Sequence, residues 1–177
     1  MINEGEDLTE AESTDVFFRI TKLFQCPDVN LRRMVYLVLK EIRPKDTEVF
    51  IVISSLQRDI TGTVDLFRSN SLRVLARILD PSTFAQIERL FKSAIVDKND
   101  VVCSAAMLAG TYLAKENSDV IKRWVNEVQE KLNSNSFNVH YHGLILMHAI
   151  KKGDPVGLAK LLISMTRANI KSHLAHC

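Results

Sequence analysis

Three of the five histidines fall in one stretch, "FNVHYHGLILMHAIKKGD" (Phe137 to Asp154). They are His140, His142 and His148. Imidazole is the commonest metal ligand and a proton shuttle near neutral pH, so the cluster raises a metal centre or a catalytic corner. Spacing decides against both. A helix turns by about 100° per residue, which sets His140 and His142 about 160° apart. His148 then lies about 120° from His142 and about 80° from His140. Helical zinc ligands converge at i, i+3 or i, i+4, as in H-E-x-x-H, and no pair here has that spacing. The stretch reads as a structural helix. His142 alone falls on an exposed row and is kept as a partner-contact candidate. Tyr141, Leu144 and Ile145 share a face expected to be core.

Other reactive residue types fare no better. Cys103 sits inside an apolar helical run and reads as a small core residue rather than a nucleophile. Glu88 and Glu127 have no second carboxylate at a shared site. The sequence has no G-x-S-x-G, no G-x-x-x-x-G-K-[ST] and no G-x-G-x-x-G, so it offers neither a nucleophile elbow nor a phosphate cradle. No catalytic residue, cofactor or metal is expected. Trp124 in "KRWVNEVQ" is expected to pack between adjacent repeats, with an interface anchor as the competing reading. Cys26, Cys103 and Cys177 are far apart and form no C-x-x-C; they read as reduced thiols of a cytosolic protein. The net charge of +2 lacks the basic excess of a nucleic-acid binder. No apolar run reaches the length of a membrane span, and acidic "MINEGEDLTEAE" is neither a signal nor a transit peptide.

Residues that could bind must be carried by elements, and those elements read as helices. With 177 residues, 6 glycines and 4 prolines, the chain has few turn-formers, which implies long elements and short connections. Apolar positions recur at helical spacing in nine segments. These are Thr14 to Gln25 (capped by Ser13 or Thr14), Val29 to Ile42, Thr47 to Ile60, Asp65 to Leu79, the segment after Asp80-Pro81, and "DVVCSAAMLAGTYLAKE". Then come "SDVIKRWVNEVQEKL" with Ser118 as its cap, the histidine stretch, and "PVGLAKLLISMTRA" with Pro155 in its first turn. The helices pair, and the pairs recur at about 37 to 38 residues, near the lower edge of the HEAT and armadillo range. The expected fold is all-α. It is an α-solenoid of HEAT/armadillo-like helix pairs in a right-handed superhelix, with about four repeats, truncated at both ends. Residues 1–13 are expected to end a preceding helix or linker, and 14–177 to form one continuous trunk.

The second helix of each pair carries a row at i, i+4, i+7, i+11. The rows are Val29, Arg33, Tyr36 and Lys40; then Leu66, Asn70, Arg73 and Arg77; then Ser104, Leu108, Thr111 and Lys115. Leu146, Ala149 and Gly153 extend them. Second helices line one side of a solenoid, and a row of apolar, aromatic and arginine residues suits a protein-binding strip. The competing expectation is a solvated face with ordinary snorkelling lysines and arginines.

Longer motifs add a resemblance. "FFRITKLFQCPDVNLRRMVYLVLKEI", "VFIVISSLQRDITG", "IERLFKSAIVDK", "IKRWVNEVQEKL" and "VHYHGLILMHAIKKGD" occur in order. Together they resemble the N-terminal trunk of the coatomer gamma subunit family. Clathrin-adaptor large chains are more distant relatives, sharing "LRRMVYL" and the "DITG" break. The resemblance covers Asp15 to Cys177. It implies a non-enzymatic COPI coat subunit, cytoplasmic and peripheral on the cytosolic face of Golgi membranes. It implies as partners a GTP-loaded Arf-family GTPase, the zeta subunit and other coatomer subunits, with membrane contact through the GTPase. It places GTPase contacts on the second-helix strip. Arg33 and Tyr36 carry over in "LRRMVYL" and Arg73 in "FRSNSLRVL"; Leu66, Asn70, Arg77, Leu108 and Thr111 join them from helix geometry. The resemblance carries no cargo-motif binding over to these residues. The rival expectation is a generic α-solenoid that binds linear peptides, as a clathrin-adaptor or transport-receptor fragment would.

Overall fold

The computed structural model describes residues 8–42 and 46–166. All regular structure among them is helical. In chain order the helices are α1 (Glu10–Thr21), α2 (Val29–Glu41), α3 (Asp46–Ile60), α4 (Asp65–Ile78), α5 (Pro81–Ile95) and α6 (Asp100–Leu113). α7 (Ser118–Ile121), α8 (Val125–Lys131), α9 (Phe137–Lys151) and α10 (Pro155–Thr166) follow. Tight 3-10 turns occupy Lys22–Gln25 and Lys122–Trp124. No helix of the described residues is long and apolar enough to cross a membrane.

Local chemistry sets these ends. α1 starts earlier than periodicity suggests, because Thr9 and Glu12 form a reciprocal capping box; Ser13 and Thr14 lie inside the helix. Asp28 caps α2 through Leu31 N–H at 2.7 Å, and Asn99 caps α6 through Val101 and Val102 N–H. Ser118 is the first helical residue of α7 rather than its cap, and the position before it, Asn117, makes no side-chain cap bond. The expected seventh helix is therefore broken by a 3-10 turn into α7 and α8.

Two compact units divide after Asp80. In the first, α4 packs on both α2 and α3. Its core holds Phe17, Phe24, Val35, Leu39, Val52, Leu56, Leu72 and Leu75. It also holds a buried cation. The Arg32 guanidinium donates to Phe24 O, to the Tyr36 hydroxyl (2.6 Å) and to the Asp59 carboxylate. Tyr36 O–H donates to Asp59 Oδ2 at 2.7 Å, and Ser71 Oγ approaches the same oxygen at 3.5 Å. The rings of Phe24, Tyr36 and Phe67 surround Arg32 Cζ at 4.8, 5.3 and 4.6 Å. Within this unit one carboxylate thus ties α2, α3 and α4.

Burial, with the bond to Asp59 second, pushes the Tyr36 hydroxyl up to about 12. The folded form therefore holds this proton more tightly than the unfolded chain. Its contribution is present below pH 10, the group's ordinary value, and is lost as pH rises through about 12. Alkaline unfolding should steepen in that window, and Tyr36→Phe should remove that part of the pH dependence. An unchanged profile in the variant counts against the linkage.

The second unit is organised around α6, which packs on α5, α7 and α9. Val102 to Met107, Ala109 and Gly110 are all buried. Trp124 is fully buried. Its ring lies 6.0 Å from Phe84 and stacks on Phe91 at 6.2 Å. Its indole N–H donates to Glu88 Oε1 at 2.8 Å, while Arg123 holds Glu88 Oε2 at 2.9 Å. The expected role between adjacent helix pairs holds. Cys103 also sits in the core, with its thiol donating to Ile95 O; burial pushes that thiol up to about 11, which leaves it a poor nucleophile.

The buried face of α9 is not the expected one. Val139, His140, Gly143, Leu146 and Met147 are buried, while Tyr141, Leu144 and Ile145 are half-buried. The face is set by α6: His142 Nδ1 meets Ser104 Oγ at 2.6 Å, and Gly143 and Leu146 lie against Met107 and Gly110. His142 is engaged inside the unit, and Ser104 is buried rather than exposed. Among the described residues neither ring nitrogen of buried His140 has a hydrogen-bond partner.

The two glycines of this seam differ in tolerance. A Cβ on Gly110 would meet Trp124 Cζ3 at 2.9 Å and both Leu146 methyls at 3.2 to 3.3 Å. A Cβ on Gly143 would meet the methyl end of Leu132 at 2.8 Å, which can rotate away. Gly110→Ala is therefore expected to lose about 1–3 kcal/mol to overpacking, and Gly143→Ala less. Denaturant titration that ranks them the other way would refute this packing argument.

Candidate protein-interaction surface

The second-helix rows can now be placed residue by residue. In the first unit α4 carries its row as expected. Beyond Ser69 only Asn70, Arg73, Arg77 and Ile78 escape full burial on this helix. Leu66, Asn70, Arg73 and Arg77 lie within about 60° of one another around the axis. Asn70 Nδ2 donates back to Leu66 O at 2.8 Å. Arg77 is exposed and Arg73 half-buried.

On α2 the expected row is wrong by one position. Tyr36 is 1% exposed and belongs to the Arg32–Asp59 cluster, so it leaves the exposed set. The open face is Asn30, Arg33, Met34, Leu37 and Glu41, within about 100° of arc. Met34 is 59% and Leu37 54% exposed. Polarity misleads on this helix because an arginine and a tyrosine face the core while a methionine and a leucine face out. The signal that could have found this is the second arginine of "LRRMVYL". Arg32 and Arg33 project about 100° apart, so one of them lies nearer the core side of the helix, and Asp59 in "DITG" is an available partner.

In the second unit Leu108 is 39% exposed. Thr111 is half-buried, with its hydroxyl donating to Met107 O at 3.1 Å. Lys115 is exposed, its ammonium 5.5 Å from the centre of the Tyr112 ring.

Burial also fixes the repeat interval at 37 residues. Val35, Leu72, Ala109 and Leu146 are all buried, as are Arg32, Ser69, Ala106 and Gly143. The extension of the exposed rows to Leu146 therefore fails: that residue is core. In the same register Tyr36, Arg73, Gly110 and Met147 are equivalent, and only Arg73 among them is not fully buried.

This paired-helix pattern agrees with a family comparison. The profile described as the adaptin N terminal region matches residues 1–177. The chain belongs to the adaptin N-terminal family. The fold of that family is a helical solenoid, of which the helix pairs above are repeats. This adaptin-family chain is 50% identical to the coatomer subunit gamma of Arabidopsis thaliana, 47% to that of Drosophila melanogaster and 42% to the coatomer subunit gamma-2 of Bos taurus. Each match covers 100% of this chain and 20% of the relative. The adaptin-family chain thus spans about a fifth of the length of these curated relatives.

Proposed function

We propose that the chain is a trunk segment of a COPI coat subunit, without enzymatic activity. In this reading its second-helix rows receive a GTP-loaded Arf-family GTPase. The observation that carries it is identity to coatomer gamma subunits along the entire chain. The zeta subunit and other coatomer subunits complete the set of partners, and the working location is the cytosolic face of Golgi membranes.

The chemistry suits recognition of a shaped protein surface. Met34, Leu37 and Leu66 supply apolar area in the first unit, and Leu108 supplies it in the second. Arg33, Arg73 and Arg77 set register, while Asn70 and Thr111 offer short polar contacts. Selectivity for GTP lies in the partner, whose switch segments are ordered only with the γ-phosphate in place.

The test is a titration of the chain with the GTPase locked in its GTP form or loaded with GDP. The GTP form should bind at least about tenfold tighter, a coupling of the usual allosteric size. Met34→Ala with Leu37→Ala should weaken binding without lowering the melting temperature, since both side chains are already in water. Equal affinity for both nucleotide forms, or none, would remove this reading in favour of a linear-peptide scaffold.

A further inference from the structure

The buried and half-buried cations of the described residues nearly all have partners. Arg32 meets Asp59, Arg68 meets Asp65 and Lys92 meets Glu127. Lys131 meets Asp97 O, and Lys151 meets Asp154. Arg73 meets none of the described residues. Its Nε is buried with no hydrogen-bond partner, and burial lowers the proton affinity of its guanidinium. Its two terminal nitrogens are not among the buried atoms, so they keep access to solvent. Lys40 also lacks a partner among the described residues, but its ammonium is not buried.

The position sharpens the anomaly. Tyr36, Gly110 and Met147, its equivalents at 37-residue intervals, are all buried. A core position in the other helix pairs thus carries a partly desolvated, unpaired cation. Such an arrangement costs stability unless something neutralises it, and sites that break the folding rules in this way are expected where function requires them.

The geometry points to Arg73 as the anchor of the α4 row, receiving a carboxylate from the surface of its protein partner through its two open terminal nitrogens. The inference rests on the GTPase-binding reading and names the contact that does most of the binding. Charge fits the occupant. The row Leu66, Asn70, Arg73, Arg77 contains no acid, and Asp65 beside it is already paired with Arg68. A planar guanidinium open only at its fork matches a carboxylate bidentately. With its stem covered, it suits a projecting side chain better than the flat headgroup layer of a bilayer, which is usually met by clusters of exposed basic residues. Arg33 and Arg77 are exposed, so they steer the encounter more than they hold the complex.

The experiment measures binding of the GTP-locked Arf-family GTPase to the chain and to Arg73→Ala, Arg73→Lys, Arg33→Ala and Arg77→Ala. Arg73→Ala should raise Kd by about 30-fold or more, as for a hot spot. Arg73→Lys should raise it by about tenfold, because charge survives and the fork does not. Arg33→Ala and Arg77→Ala should each stay within about fivefold and act through the on-rate at low salt. Arg73→Met should leave the melting temperature unchanged or raise it, since it removes a desolvated cation; a marked fall would make Arg73 a structural residue and overturn the proposal. Failure of the wild-type chain to bind removes the GTPase reading and this one with it. Normal binding by both Arg73→Ala and Arg73→Lys overturns the anchor alone. Vesicles containing phosphatidylserine form the last arm. Binding that depends on Arg73 there, but not with the GTPase, would overturn a carboxylate occupant in favour of a lipid headgroup.

Discussion

Asp59→Ala is expected to lower the stability of the first unit by about 3–5 kcal/mol, the usual result of breaking a buried ion pair from one side. The Arg32 and Asp59 side chains are 4% and 11% exposed, so solvent screens little of the interaction. Without the carboxylate the guanidinium keeps only Phe24 O, the Tyr36 hydroxyl and the faces of three rings. Water reaches it only if α2 separates from α3 and α4. The pair itself is worth far less than this loss, because both charges were desolvated to make it. Arg32→Met with Asp59→Leu should therefore return to within about 1–2 kcal/mol of the wild type, or exceed it. Urea titration followed by circular dichroism measures all three proteins. A loss below about 1 kcal/mol in Asp59→Ala would mean that the cluster is solvated and carries no structural weight.

Trp124→Ala should cost the second unit about 3–5 kcal/mol. The indole fills the space between Phe84, Phe91 and Gly110, and alanine leaves a cavity that three helices would have to collapse to close. Trp124→Phe separates packing from hydrogen bonding. It keeps an aromatic ring against Phe91 but leaves Glu88 Oε1 without its N–H donor. That change should cost about 1–3 kcal/mol. Trp124 is the only tryptophan, so circular dichroism replaces fluorescence as the readout. Equal losses for the two variants would mean that the Glu88 bond, not ring packing, dominates the site.

Much of the fold was readable in the residues, and the misses have two physical causes. Helix identities followed from 3.6-residue periodicity and from stop signals such as Gly62 and Asp80-Pro81; the stop expected at Arg43-Pro44 lies outside the described residues. Their pairing followed from the repeat. The α4 row at Leu66, Asn70, Arg73 and Arg77 was also readable, because apolar residues on that helix are inside. On α2 the same rule inverts. Arg32 and Tyr36 go inside because Asp59, 23 residues beyond Tyr36, supplies the partner that makes their burial tolerable. No periodicity within α2 can report that partner. The slip at Leu146 has another origin: a repeat interval read as 37 to 38 turns a helix face by about 100° per residue of error. Trp124 and Cys103 were assigned correctly because both judgements needed only local apolar context.

The seam between α6 and α9 has a mechanical consequence. Gly110 on one side and Gly143 on the other let the two helices approach closely, with Leu146 packed directly against Gly110 and Met107 directly against Gly143. Ser104 and His142 pin the register across it. Under tension the second unit should behave as a stiff plate at this seam. It should yield first through α7 and α8, where one helix is interrupted by a 3-10 turn and α7 is only four residues long. Single-molecule pulling would record that order as an early, low-force extension followed by a late, abrupt rupture. The compliant element of this unit would then be the broken helix rather than the seam.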